Sequence, residues 1–116
     1  MFRDTYLSAV DSRLYSRRDE RFKVNLKGQV EIIMPRLSGI AKKHCRIADI
    51  SVEGAALVFE ETLGLPLHFY LTIDGYFEKV GCAEVNRVGT RVGVRFLRSL
   101  DERWLKLKLG DIARQK

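Results

Sequence analysis

Two hydrophobic periods divide the chain. Near the start, Phe2, Tyr6, Leu7, Val10 and Leu14 recur at helical spacing, which predicts a short helix within residues 1–15. The run Ser16-Arg17-Arg18-Asp19-Glu20-Arg21 carries no apolar residue and reads as a charged connector. From Phe22 the period becomes two. Phe22, Val24 and Leu26 alternate with Lys23, Asn25 and Lys27, the pattern of a strand with one buried face. Gly28 breaks this alternation and predicts a bulge or bend before Val30, Glu31, Ile32 and Ile33 resume it.

Further strands are expected at about residues 42–50, 55–59, 67–73, 76–88 and 91–97, with loops at 35–39 and around Gly64 and Pro66. Asp74-Gly75 lies between two apolar runs and is a strong hairpin signal, because both residues tolerate positive φ. The returning strand over 76–88 is long enough to need the kink that Gly81 can supply, and Gly89-Thr90 makes another tight turn. After Ser99, taken as an N-cap, the period returns to 3.6. Leu100, Trp104 and Leu107, joined by Leu105, form an apolar stripe; Asp101 and Glu102 complement the helix dipole, and Gly110 is a natural stop. Six short strands with hairpin turns and one helix predict an all-β domain. Its expected form is a six-stranded antiparallel barrel, or a strongly curved sheet, with a C-terminal α-helix against it.

Composition narrows the function classes. A chain of 116 residues, 46% of them hydrophobic, has room for one globular core. No run approaches the ~18 apolar residues of a membrane helix. The first residues also lack the apolar core of a signal peptide, so a cytoplasmic location without a membrane span is expected. Cys45 and Cys82 are too few for a disulfide framework, and neither they nor His44 and His68 stand at metal-ligand spacing. A nucleophile elbow, a Walker loop and a dinucleotide fingerprint are all missing from the sequence. No cofactor, no metal and no catalytic role is therefore expected.

Net charge changes the picture. Lys and Arg number 21 against 15 Asp and Glu, a formal +6 that favours an anionic partner. The excess is uneven: residues 60–97 hold four basic against five acidic side chains, while residues 98–116 hold six against three.

Two clusters carry candidate chemistry. Arg17-x-x-x-Arg21, with Arg18 between, leads into the first strand, and Asp49-x-Ser51-x-x-Gly54 forms the turn between the second and third. An arginine fork can donate two parallel bonds to the O6 and N7 edge of guanine, pair with phosphate or stack on a purine. Asp49 can accept from donor edges of a base, Ser51 can bond a phosphate oxygen, and Gly54 permits close backbone approach. These residues by themselves define an anion site suited to a purine nucleotide.

Arg17-x-x-x-Arg21 followed by Phe22-Lys23-Val24, then Asp49-x-Ser51-x-x-Gly54-Ala55, resembles the bacterial PilZ domain. The likeness runs from about Ser16 to Leu97 and includes Gly81 before a long strand and the closing Val92-Gly93-Val94-Arg95-Phe96. It implies a six-stranded barrel over residues 16–97, an N-terminal extension over 1–15 and a helix and tail over 98–116. It also implies cyclic di-GMP as ligand, held by Arg17, Arg18, Arg21, Asp49, Ser51 and Gly54, with Arg87 as a weaker ligand-facing candidate. In that family the arginine loop wraps over the ligand and the change passes to a partner. At this length no output domain is expected, so the signal would leave through another protein: a motility component, a polysaccharide synthase or a regulator.

Two other classes stay open on the residues alone. One is a PilZ-like adaptor whose output is independent of nucleotide. The other is a basic barrel that binds RNA or DNA, disfavoured because aromatic residues interleaved with basic ones are sparse on the strand faces.

Overall fold

The computed structural model describes residues 20–33 and 39–114. The helix expected within 1–15, most of the 35–39 loop, and Arg17 and Arg18 lie outside the described residues. Six strands follow in order: β1 (Phe22–Ile33), β2 (Ile40–Ile50), β3 (Gly54–Val58), β4 (His68–Ile73), β5 (Val80–Val88) and β6 (Arg91–Phe96). One helix, α1 (Glu102–Arg114), closes the chain. Every pairing is antiparallel, and the sheet order β1-β2-β3-β6-β5-β4 closes into a barrel through the β1–β4 pair. The expected six-stranded antiparallel barrel with a C-terminal helix is the observed fold.

Alternation builds the core. Val30, Ile47, Ile50, Leu57, Leu71, Ile73, Val92 and Val94 point inward and are fully buried. Each such side chain stabilises the fold by about 1.5–3 kcal/mol relative to exposure. Gly28 belongs to this interior rather than to a bend. A Cβ there would meet Cys45 Sγ at 3.0 Å and Leu71 Cδ1 at 3.2 Å, so the missing side chain makes room for the two strands that flank it.

The irregularities lie elsewhere. Register shifts fall between Lys23 and Leu26 in β1, Ile47 and Asp49 in β2, and Glu84 and Asn86 in β5. Gly81 is no kink either: its bare Cα receives Leu97, whose Cδ1 would stand 3.0 Å from an added Cβ.

The β4–β5 hairpin is wider than expected. A turn closes with Tyr76 N–H donating to Ile73 O at 2.9 Å, with Gly75 at φ 89°, and pairing resumes only at Val80 with Leu71. Residues 76–79 are therefore loop. The β5–β6 turn is as short as expected, Val88 pairing with Arg91 around Gly89 at φ 61°.

The helix also departs in its details. Asp101, not Ser99, is the cap: its Oδ1 accepts the Trp104 N–H at 3.0 Å. Ser99 instead donates to the Glu53 carboxylate. The helix continues through Gly110 to Arg114, and Leu107 is exposed while Leu109 and Ile112 join the packed side. Trp104 docks this helix on the hairpin. Its Nε1–H donates to Gly75 O at 2.9 Å and its ring meets Tyr76 edge-on at 4.7 Å. Among the described residues, no helix is long and apolar enough to cross a membrane.

Candidate functional site

The bulge in β2 creates the site. Strict alternation would point Asp49 inward along with Ile47. Because two β2 residues oppose one of β3 between Ile47 and Asp49, both Ile47 and Ile50 stay inside and Asp49 turns outward above Ala56. The bulge in β5 does the same for Asn86, which lies opposite Gly93. The outer face of β2, β3, β6 and β5 thus carries, at one level, Asp49, Ala56, Gly93 and Asn86.

Two arginines converge on Asp49. Arg21 Nη1 donates to Oδ1 at 2.7 Å, and Arg91 Nη2 donates to Oδ2 at 3.0 Å. Arg91 stands on β6, with β3 between it and Asp49, so this ion pair crosses the outer face of β3. Small side chains permit the crossing: Ala56 is the outward residue beneath it and Gly93 is its neighbour on β6. The aspartate side chain is 17% exposed, the two guanidinium groups 46% and 54%. Charges this accessible attract one another by about 1 kcal/mol or less, so the pairs can exchange for a ligand. Arg95, also exposed, lies opposite Gly54 at the next outward position of β6.

Ser51 and Gly54 act beneath this surface. Ser51 is 2% exposed. Its hydroxyl oxygen accepts the N–H groups of Glu53 and Gly54, both at 3.1 Å, and the Ser51 N–H donates to Gly54 O at 2.8 Å. The hydroxyl expected to meet a phosphate is buried and bonded inside its own turn, which it shapes. Gly54 does provide a close approach, but of one strand to another. A Cβ there would meet Val94 O at 2.4 Å and Arg21 Nη2 at 3.5 Å.

Arg87 is placed away from this cluster. Its guanidinium donates to the Glu84 carboxylate, to Leu65 O at 3.2 Å and to Thr62 O at 3.5 Å. The hydrogen bond to Glu84 raises its pKa further. Arg87 therefore fastens the 62–65 loop to β5, and among the described residues it makes no hydrogen bond with Arg21 or Asp49.

Arg91 was missed by motif spacing, as was the small-residue floor. The available signal was the alternation Arg91-Val92-Gly93-Val94-Arg95, which puts two arginines and a glycine on one outward face of β6. Cys45 and Cys82 remain inert thiols, each pushed up to about 12 by burial. Compared with family models, curated proteins and solved structures, the chain matches none of the three, so the site is read from its own geometry.

Proposed function

We infer that the protein is a receptor for cyclic di-GMP, which binds on the outer face of β2, β3 and β6. One observation carries this reading. Arg21 and Asp49, from the two motifs 28 residues apart, meet at 2.7 Å, with the Arg21 guanidinium beside Gly54. A guanine dinucleotide matches that pairing chemically. Its O6 and N7 edge accepts an arginine fork, its N1–H and amine donate to a carboxylate, and its two phosphates take further guanidinium groups. The low floor at Ala56 and Gly93 lets a flat base approach the sheet, with Arg91 and Arg95 at its border.

In this reading the free protein holds Asp49 between Arg21 and Arg91. Ligand replaces these contacts, and the arginines released from the carboxylate turn to phosphate or to a purine face. The connector that carries Arg17 and Arg18 supplies the remaining contacts, and its reorganisation is what a protein partner would read.

Calorimetric titration tests the proposal. Cyclic di-GMP is expected to bind with a high-nanomolar to micromolar constant, about −8 kcal/mol. Arg21→Ala is expected to weaken binding by about 1.5–3 kcal/mol, the scale of a charged hydrogen bond. Absence of heat at protein concentrations well above that constant overturns the receptor reading. Equal binding of a random oligonucleotide would favour the nucleic-acid alternative instead.

A further inference from the structure

Leu97 is an exposed leucine fixed in one place. It is 68% accessible, yet its N–H donates to Gly81 O at 2.9 Å and its side chain rests on the bare Cα of Gly81. Glycine inside a strand weakens it, so β5 gives up stability to seat this side chain. Tyr70, 49% accessible, pairs with Gly81 from β4 and shares the surface with Leu97. The two form a ridge on the outer face of the barrel with a hollow at each end. One hollow, of about 250 Å³, opens toward Ile33 and His68. The other, of about 210 Å³, opens toward Tyr76 and Leu100, and Tyr70 and Leu97 line both. Ile33 and its register partner Ile40, 64% and 61% accessible, extend the apolar surface past the first hollow.

These four side chains leave about 450 Å² of largely apolar surface in water, the size at which a patch marks an interaction site. A stable dimer buries about 800 Å² on each partner, about two thirds of it apolar in homodimers, and the four supply most of that share. A knob already held in its bound position also loses little freedom on association.

Charge and shape select the occupant. The chain carries +6, so two copies repel one another over most approaches. The carboxylates and basic groups that line the hollows are Glu31 and Glu78 against Lys79 and Arg98, two of each sign, with Glu31 and Lys79 joined at 2.8 Å. A strongly acidic or basic partner meets no complementary field here, whereas a second copy meets a balanced one. A ridge between two hollows is also self-complementary, because a two-fold axis beside it sets each ridge into a hollow of the other copy.

We propose that the outer face of β4, with its neighbours β1 and β5, is the interface of a two-fold homodimer in which Tyr70 and Leu97 of each copy fill a hollow of the other. Around the closed barrel β4 lies three strands from β3 in either direction, so the Arg21–Asp49 cluster stays open on the far side of each copy. The dimer presents two outward-facing clusters, and the proposal stands whether or not the nucleotide reading holds.

Sedimentation equilibrium of the full chain tests it, at loadings between about 1 and 500 µM. The mass is expected to rise with concentration from 13.4 kDa to twice that value. Leu97→Glu puts a charge into the interface and should raise the dissociation constant at least about tenfold. Leu97→Ala removes the knob without adding charge and should act in the same direction, and circular dichroism checks that both variants keep the barrel. Leu107→Glu alters an equally exposed leucine on α1 and should leave the constant within about twofold. A chain that stays monomeric over the whole range overturns the proposal, because another segment or an unrelated protein would then be what covers this face. So does a dimer that both Leu97 variants leave intact, or one that Leu107→Glu weakens as much as they do.

Discussion

Gly54→Ala is the sharpest test of how the turn and the barrel are joined. The added methyl group would sit 2.4 Å from Val94 O, about 1 Å inside an ordinary carbon–oxygen contact. The obstacle is a backbone carbonyl. It is held by the β3–β6 register on which Ala55 pairs with Val94 and Ala56 with Gly93, so no rotamer change relieves the clash. Overpacking of this kind costs about 1–3 kcal/mol, and an immovable neighbour places it in the upper part of that range. The smaller entropy of unfolded alanine returns about 0.5 kcal/mol, for a net loss of about 2 kcal/mol. The expected fall in Tm is about 8–12 °C.

Gly93→Ala is the internal control. Its nearest obstacle is Asn86 Oδ1 at 2.6 Å, the end of a side chain that can swing aside. The main loss is then the hydrogen bond from Gly93 N–H to that oxygen, about 1 kcal/mol. Urea unfolding followed by Trp104 fluorescence and by far-ultraviolet circular dichroism measures both variants. If Gly54→Ala falls within about 0.5 kcal/mol of the parent, or is milder than Gly93→Ala, the steric reasoning is wrong.

Other outcomes follow from single groups. Ser51→Ala leaves the buried Gly54 N–H and the half-buried Glu53 N–H without their acceptor and should cost about 1–3 kcal/mol in the same urea experiment. Asp101→Ala removes the acceptor for Trp104 N–H and should cost about 1 kcal/mol, read as earlier loss of Trp104 fluorescence on heating. Burial raises both thiols to about 12, so the native chain should react with iodoacetamide at pH 8 at least about a hundredfold more slowly than the urea-unfolded chain. Because the folded state holds these protons more tightly than the unfolded state, the stabilisation is complete below pH 9 and is lost as pH rises toward 12. Urea midpoints measured between pH 8 and 11 should fall, and a midpoint that rises with pH over that range contradicts the assignment.

The strands were legible where one face is buried and the other solvated. Residues 22–33, 91–96 and 68–73 alternate cleanly, and the Asp-Gly and Gly-Thr pairs marked both hairpin turns. Glycine misled where it serves packing. Gly28 and Gly81 read as bends, yet each leaves space for a neighbour across the sheet: Cys45 and Leu71 in one case, Leu97 in the other. The real bulges, at 23–26, 47–49 and 84–86, contain no glycine, because they arise from the stagger needed to close the barrel and not from local preference. The helix cap moved from Ser99 to Asp101 for a tertiary reason. The Ser99 hydroxyl is taken by the Glu53 carboxylate and Leu100 N–H by Val52 O, which hold this stretch against the barrel, and Asp101 is left to accept the Trp104 N–H.

The site was half legible, and the missing half follows from that stagger. The two motifs assigned Arg21 and Asp49 to one ligand site by their chemistry and by the PilZ resemblance, but nothing in their spacing predicted that they pair with each other. Arg91, 42 residues beyond Asp49, could be joined to it only by knowing that β3 lies between β2 and β6 and that a bulge turns Asp49 outward. That third residue alters the electrostatics of the face. With Arg21 and Arg91 sharing one carboxylate, the cluster carries a net single positive charge, and each carboxylate oxygen already accepts one guanidinium N–H. In the nucleotide reading a guanine that takes both oxygens in the plane of the carboxylate displaces at least one arginine from Asp49, and the displaced guanidinium is the group nearest to the ligand's phosphates. The same exchange disfavours a plain polyanion, which supplies phosphates but does not engage the carboxylate it uncovers.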